Sequence, residues 1–310
     1  MAFDPHARRF LDMLAAAGPS AGGASSVSAR RDAFRTLMRF GGSRPAVGGI
    51  EDIRLPGTDV SLPARIYRPA DAPPGPLPGF VFLHGGGLVA GGLDTHDTLC
   101  RILASETGCR VIAVEYRLAP EHKFPSAHED ACASTRWVLD HAADLDIDPA
   151  RLGIAGDSAG GTLATVVCQM LRQAQAPRLA FQLLLCPITD VLMETDSWRL
   201  FETSLLDKAT LRGDLERYAP GLDPSDPRIS PLRAPDLGGL PPAFIHTAEC
   251  DPLCDEGKAY ADKLTSAGVA VRHTCHAGMV HLFYALGGVI PYARVALTQI
   301  GEEIRLLAAT

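Results

Sequence analysis

The 310-residue sequence predicts an α/β protein with a mostly parallel, eight-stranded sheet and helices on both faces. Three observations lead there. From about residue 50 onward, short apolar runs alternate with amphipathic helical stretches. Runs such as FVFLH, VIAVEY and LLLC are apolar at consecutive positions. Because neighbouring strand side chains point to opposite faces, such strands must be covered on both sides. Pro- and Gly-rich punctuation, as at 70–78, falls between the runs where turns belong.

Strands are expected at 49–55, 61–68, 79–84, 110–116, 151–155, 180–186, 243–248 and 269–275. The first two alternate apolar and polar residues and read as an antiparallel hairpin at one edge. Two regions fall outside this pattern. Residues 1–45 carry two amphipathic helices, one with Phe10, Leu11 and Leu14 and one with Phe34, Leu37 and Met38, joined by a small-residue linker at 18–26. Residues 188–225 are helical but irregular, with Trp198, Phe201, Leu205, Leu206 and Leu211. Such narrow apolar faces must pack on something else, so the two regions are expected to form a cap over one end of the sheet. Residues 46–187 and 226–310 then make up the main domain.

Composition narrows the function classes. Hydrophobic residues make up 46% and charged residues 21%, an ordinary globular balance. The formal net charge of -7 is modest and the basic residues are dispersed, which argues against a nucleic-acid partner. Arg8, Arg9 and Asp12 interrupt the N-terminal apolar residues, and no window approaches 18 uninterrupted apolar positions, so a cytoplasmic protein without membrane insertion is expected. The eight cysteines (100, 109, 132, 168, 186, 250, 254 and 275) form no CxxC pair and read as buried thiols. Cys250 and Cys254 flank Asp251, but without a second pair at zinc-ligand spacing they point to no metal.

The chemistry concentrates in four places. Gly156-Asp157-Ser158-Ala159-Gly160 follows the strand RLGIA and opens a helix of small residues. A serine on such a sharp turn is pushed out at the carboxyl end of the sheet, and the flanking glycines remove Cβ atoms that would collide with strand and helix. Its position at a helix N-terminus favours developing negative charge. Ser158 is therefore the expected nucleophile, with Asp157 turned away to brace the loop.

His84-Gly85-Gly86-Gly87 ends the strand FVFL. A plain flexible loop would also carry glycines, but three together let main-chain N–H groups face a cavity. Gly86, Gly87 and Ala159 are the expected oxyanion donors, and His84 a local shaper of the loop. Of the late histidines, His273 and His276 lie in or at the end of a strand, whereas His281 follows the turn Ala277-Gly278 and is the expected base. Glu249, Asp251, Asp255 and Glu256 cluster after the strand AFIHTA. Asp251 sits just past the strand and is the expected orienting acid. Asp255 precedes a helical stretch, where capping accounts for it.

The strings HGGG at 84–87, YRLAPE at 116–121 followed by FPSAHED, GDSAGG at 156–161, DPLCDEG at 251–257 and GMVHLF around His281 together resemble the hormone-sensitive-lipase group of esterases, family IV among bacterial enzymes. The resemblance spans about residues 80–285 and implies the α/β-hydrolase fold with a helical cap. It also implies Ser158, Asp251 and His281 as nucleophile, acid and base. Short- to medium-chain esters would be the substrates, with no cofactor, and homodimers occur among members. Leu282 stands where members commonly have glycine and Leu88 where an aromatic usually follows HGGG, two positions expected to border the pocket. The expected activity is serine carboxylesterase. An amide, carbamate or lactone hydrolase would use the same machinery, and a non-catalytic small-molecule receptor on this fold is the alternative from another class.

Overall fold

The computed structural model describes residues 2–17, 26–202 and 204–308. Most of the linker expected at 18–26 lies outside them. Eight strands are present: β1 (Gly49–Pro56), β2 (Ser61–Arg68), β3 (Leu77–Leu83), β4 (Arg110–Val114), β5 (Ile147–Asp157), β6 (Gln182–Leu185), β7 (Ala243–Ala248) and β8 (Val271–His276). They form one sheet in the order β1-β2-β4-β3-β5-β6-β7-β8. β1 and β2 pair antiparallel at one edge, β2 meets β4 antiparallel, and the pairings from β4 through β8 are parallel.

The consecutive apolar residues serve two cores. In β3, Phe80 and Phe82 point to one face while Val81 and Leu83 point to the other, and β4 splits Val111 and Ala113 from Ile112 and Val114 in the same way. One face is covered by α4 (Ser126–Asp140), α5 (Ala159–Gln173) and α8 (Cys254–Ser266), through residues such as Val138, Val167 and Leu264. The other is covered by α3 (Leu93–Thr107) and α9 (Tyr292–Ala308), through Leu99, Leu103, Leu297 and Ile300. Each fully buried large side chain of this kind contributes about 1.5–3 kcal/mol of transfer free energy.

The two N-terminal helices, α1 (Pro5–Ala16) and α2 (Val27–Met38), start at side-chain caps: Asp4 accepts from the amides of His6 and Ala7, and Ser26 from that of Ala29. Phe10, Phe34 and Met38 are buried against the α3/α9 face, so these helices dock on the sheet domain. Arg31 fixes the docking. Its guanidinium makes a two-pronged bond to Glu121 (2.9 and 2.6 Å) and donates to the carbonyls of Val89 and Ala119. The 188–225 region contributes α6 (Asp196–Leu200) and α7 (Lys208–Tyr218). Trp198 of α6 is fully buried, its Nε1 donating to Glu256, so it is a core residue rather than part of a loose lid. No helix among the described residues is long and apolar enough to cross a membrane.

Candidate active site

Ser158 sits between β5 and α5 with φ 52° and ψ -119°, a backbone conformation that L-residues rarely adopt. The glycines around it explain how the turn is held. A Cβ on Gly156 would lie 2.1 Å from the Gly160 carbonyl oxygen, and one on Gly160 would lie 2.0 Å from that of Leu83. Strand, turn and helix thus approach backbone to backbone. The Ser158 amide donates to Leu185 at 2.9 Å, anchoring the turn to β6.

His281 and Asp251 arrive on loops that follow neighbouring strands, β8 and β7. His281 Nε2 is 3.1 Å from Ser158 Oγ, and its Nδ1 is 2.8 Å from Asp251 Oδ2. Asp251 also accepts the Leu253 amide through Oδ1 at 3.0 Å. All three residues are buried, at 5% exposure for Ser158, 1% for Asp251 and 3% for His281, so their contacts are shielded from water. A carboxylate only accepts, so Nδ1 carries the proton in this pair and Nε2 offers its lone pair to the serine hydroxyl.

The HGGG loop lies against this turn. Asp157 Oδ1 accepts the Gly85 amide at 2.8 Å, and its carboxylate faces His96. His84 stacks on Tyr116 with ring centroids 4.3 Å apart, and its Nδ1 is 2.8 Å from the Gly85 carbonyl oxygen. The Tyr116 hydroxyl donates to the His84 carbonyl at 2.6 Å. Burial holds His84 far below its usual pKa, at about 3, so it is neutral. Tyr116 opens the YRLAPE string and Glu121 closes it, which gives that motif two structural duties: bracing the HGGG loop and docking α2.

Gly86, Gly87, Ser158 and His281 open onto a cavity of about 720 Å³. That is large enough for a drug-sized organic molecule. Its walls carry Leu11, Leu14, Phe34 and Leu37 from the N-terminal helices and Leu205, Leu206 and Leu211 from the 188–225 region. Ala159 is buried at the first position of α5 and does not line the cavity.

Two expectations need revision, those for Leu88 and Asp255, while that for Leu282 holds. Leu88 does not border the cavity; it is buried among the core residues on the α4/α5 face. Leu282 does border it, and holds a left-handed φ of 59°, the conformation glycine adopts without strain. Asp255 does not cap α8, whose N-cap is Leu253 with no side-chain bond; it accepts the Ser197 amide at the start of α6, at 2.8 Å. Two roles escaped the sequence, that of Glu256 among the clustered acids and that of the Arg30–Asp214 pair. Glu256 is fully buried, accepts from the Thr189 and Asp190 amides and from Trp198, and is pushed up to about 8 chiefly by its burial. Arg30 and Asp214 form an ion pair at 2.8 Å on the cavity wall.

The thiols differ from the expectation at three positions, Cys132 and Cys254 being half-buried and Cys275 exposed. Cys100, Cys109, Cys168, Cys186 and Cys250 are buried, and the Cys275 sulfur lies 3.7 Å from that of Cys254. Cys186, Asp251 and His281 bring ligand-type atoms within 4.8 Å of one another. There the Asp251 and His281 atoms already face each other in a hydrogen bond.

Comparison with known proteins agrees with this fold. Residues 80–285 match the family described as the alpha/beta hydrolase fold. The chain is 39% identical to an ethyl acetate hydrolase of Pseudomonas putida, across 98% of this chain and 99% of that protein. It is 43% identical to the carboxylesterase NlhH of Mycobacterium tuberculosis, across 76% of each. Among solved structures, a hyperthermophilic esterase from Pyrobaculum calidifontis superposes with a TM-score of 0.93 at 36% identity, covering 100% of both chains. The chain belongs to the α/β-hydrolase family, within its hormone-sensitive-lipase-like group of esterases.

Proposed function

We propose that the protein is a serine carboxylesterase acting on short- to medium-chain esters, with Ser158 as nucleophile, His281 as general base and Asp251 as the carboxylate that orients it. Ser158 Oγ attacks the ester carbonyl carbon while His281 Nε2 takes its proton. Asp251 holds the imidazole in the required tautomer and stabilises the imidazolium. The amides of Gly86, Gly87 and Ala159 are assigned to the tetrahedral oxyanion, with the N-terminus of α5 adding its favourable field. Collapse expels the alcohol, protonated by His281, and leaves an acyl-enzyme. Water then enters, gives a proton to His281, and the same steps release the acid.

The observation that carries this reading is the buried Ser158–His281–Asp251 chain of contacts, at 3.1 and 2.8 Å, opening on a mainly apolar cavity. The names of the relatives support the same reaction class. Residues 1–45 and 188–225 are assigned to a cap, and 46–187 with 226–310 to the catalytic domain; the lining of the cavity by Leu37 and Leu206 supports that division. The test is a panel of p-nitrophenyl esters of increasing acyl length, with an amide and a lactone alongside, on wild type and Ser158→Ala. Wild type hydrolyses the esters, and the variant loses on the order of a millionfold in turnover while keeping its melting temperature. An organophosphonate labels Ser158. Labelling elsewhere, or an active variant, overturns the assignment.

A further inference from the structure

Arg30 belongs to the second N-terminal helix and Asp214 to α7, 184 residues away in sequence. Arg30 Nε and Nη2 both reach Asp214 Oδ2, at 3.1 and 2.8 Å. The pair does more than bridge two halves of the cavity wall, because both partners lie against the Gly86–Gly87 peptide. Arg30 Nη2 is 3.5 Å from the Gly86 carbonyl oxygen. On the other side, Asp214 Oδ2 crowds Gly87 so closely that a Cβ there would be 2.1 Å from it.

The Gly86 carbonyl and the Gly87 N–H are the two ends of one planar peptide group and point in opposite directions. Whatever fixes the carbonyl end therefore aims the N–H end. Gly86 O already accepts the amides of Ala90 at 2.9 Å and Val89 at 3.3 Å. Adding a guanidinium to that end draws electron density toward the carbonyl and makes the Gly87 N–H a stronger donor. The positive charge has a second effect. A carboxylate this close to a developing oxyanion would raise its energy in a desolvated site, and Arg30, at 2.8 Å the nearer of two arginines beside it, offsets that charge more than Arg217 at 3.8 Å.

We infer that Arg30 is a positioning residue for ester hydrolysis: it orients and polarises the Gly86–Gly87 peptide and neutralises Asp214 beside the oxyanion. The N-terminal helix is thus part of the electrostatics of the reaction as well as a wall of the pocket. This rests on reading Ser158 as nucleophile and Gly87 as an oxyanion donor.

The test is steady-state kinetics on one p-nitrophenyl ester with Arg30→Met, Arg30→Lys, Asp214→Asn and Arg30→Met/Asp214→Asn, with Ser158→Ala in parallel. A trifluoromethyl ketone, which forms a charged tetrahedral adduct with the serine, serves as the second probe. Arg30→Met lowers kcat about 10- to 100-fold, less than the loss of an oxyanion donor itself, with KM within about threefold and ketone affinity falling in step with kcat. Arg30→Lys, which keeps the charge without the fork, falls between wild type and Arg30→Met. The double variant recovers part of the loss because the carboxylate, left in Arg30→Met with only Arg217 at 3.8 Å, is gone. The inference is overturned if Arg30→Met changes KM alone, if kcat falls without ketone affinity, or if the double variant recovers nothing. Should Arg30→Met not fold, unchanged kcat and ketone affinity in both Arg30→Lys and Asp214→Asn overturn it equally. An active Ser158→Ala would instead remove the site assignment beneath it.

Discussion

Asp157 Oδ1 accepts the Gly85 amide proton at 2.8 Å, tying the residue before Ser158 to the start of the HGGG loop 72 residues earlier. The bond holds the Ser158 turn against the loop whose amides are assigned to the oxyanion. Replacing Asp157 by Ala leaves a buried N–H unsatisfied, a cost of about 1–3 kcal/mol. Asp157→Ala is therefore expected to lower both melting temperature and kcat, whereas Asp157→Asn can still accept through its side-chain oxygen and should keep most of its turnover. Thermal melts and kcat for the two variants check this, and equal losses in both would contradict it.

The two aspartates of the DPLCDEG string have separate duties. Asp251 faces His281, and Asp255 accepts an amide at the start of α6. Asparagine at 251 keeps the shape but favours the wrong imidazole tautomer, for which a loss of roughly 10⁴ in turnover is the precedent. Asparagine at 255 can still accept the Ser197 amide. Asp251→Asn should be nearly inactive with little change in melting temperature, and Asp255→Asn should stay within about 1 kcal/mol of wild-type stability with turnover within tenfold. The reverse result would move the acid to Asp255.

The sheet was readable because its strands announce themselves: 61–68 and 243–248 coincide with β2 and β7, and the Pro/Gly punctuation marks their ends. β5 runs longer than expected, Ile147–Asp157, because Asp148, Pro149 and Ala150 break the apolar run without breaking the extended chain. The serine turn was legible for a local reason, since glycines at 156 and 160 are needed within one short turn. The Arg30–Asp214 pair was illegible for the opposite reason. Arg30 in VSARRDAF and Asp214 in RGDLERY each look like solvated helix positions, and only tertiary packing brings them together, burying Asp214 and half-burying Arg30. The same holds for Glu256, whose partners Thr189, Asp190 and Trp198 lie more than fifty residues upstream.

Leu282 invites a reversal of the usual substitution order. Its side chain is buried on the cavity wall, so truncation to Ala should cost about 2–5 kcal/mol. Its φ of 59° adds strain that Ala keeps and Gly relieves, by about 1 kcal/mol. Leu282→Gly should therefore melt above Leu282→Ala, although it removes one more carbon. A lower melting point for the Gly variant would show that the left-handed turn carries no strain.

Stability should peak near pH 6.5. Burial holds His84 at about 3, and His128 and His276 at about 4, against an ordinary value near 6.5. The unfolded chain takes up these protons first, so stability falls as the pH drops from about 6.5 toward 3. Glu256 acts on the other flank. Its pKa is pushed up to about 8 in the folded state, against 4.5 ordinarily, so the unfolded chain loses that proton first and stability falls as the pH rises toward 8. Above about 7 Cys275, held at about 7 by its contact with Cys254 against an ordinary 9, opposes this fall, so the Glu256 flank is to be read in a Cys275→Ser background. Melting temperatures across pH 4–9 should show both flanks, and Glu256→Gln should flatten the alkaline one. A slope that persists in that variant would assign it to another group.

The cavity wall makes a prediction about chain length. Leu37 of α2 and Leu206 of the 188–225 region come from the two parts assigned to the cap, and both line the space above Ser158 and His281. If the acyl chain lies between them, filling that space with an indole should exclude its distal methylenes and leave the reacting carbonyl alone. Each methylene taken out of water contributes about 0.8 kcal/mol, so excluding two lowers kcat/KM for a long ester by roughly tenfold. An acetyl ester does not reach that far, and its kcat/KM should stay within about threefold. Leu37→Trp and Leu206→Trp should therefore both shift the preferred acyl length downward on a series of p-nitrophenyl esters from acetate to octanoate. If only one does so, the acyl chain follows that wall alone, and the other part covers the alcohol side. If both lose activity equally on every ester, the indole disturbs Ser158 and His281 themselves, and the acyl-binding role of this wall is refuted.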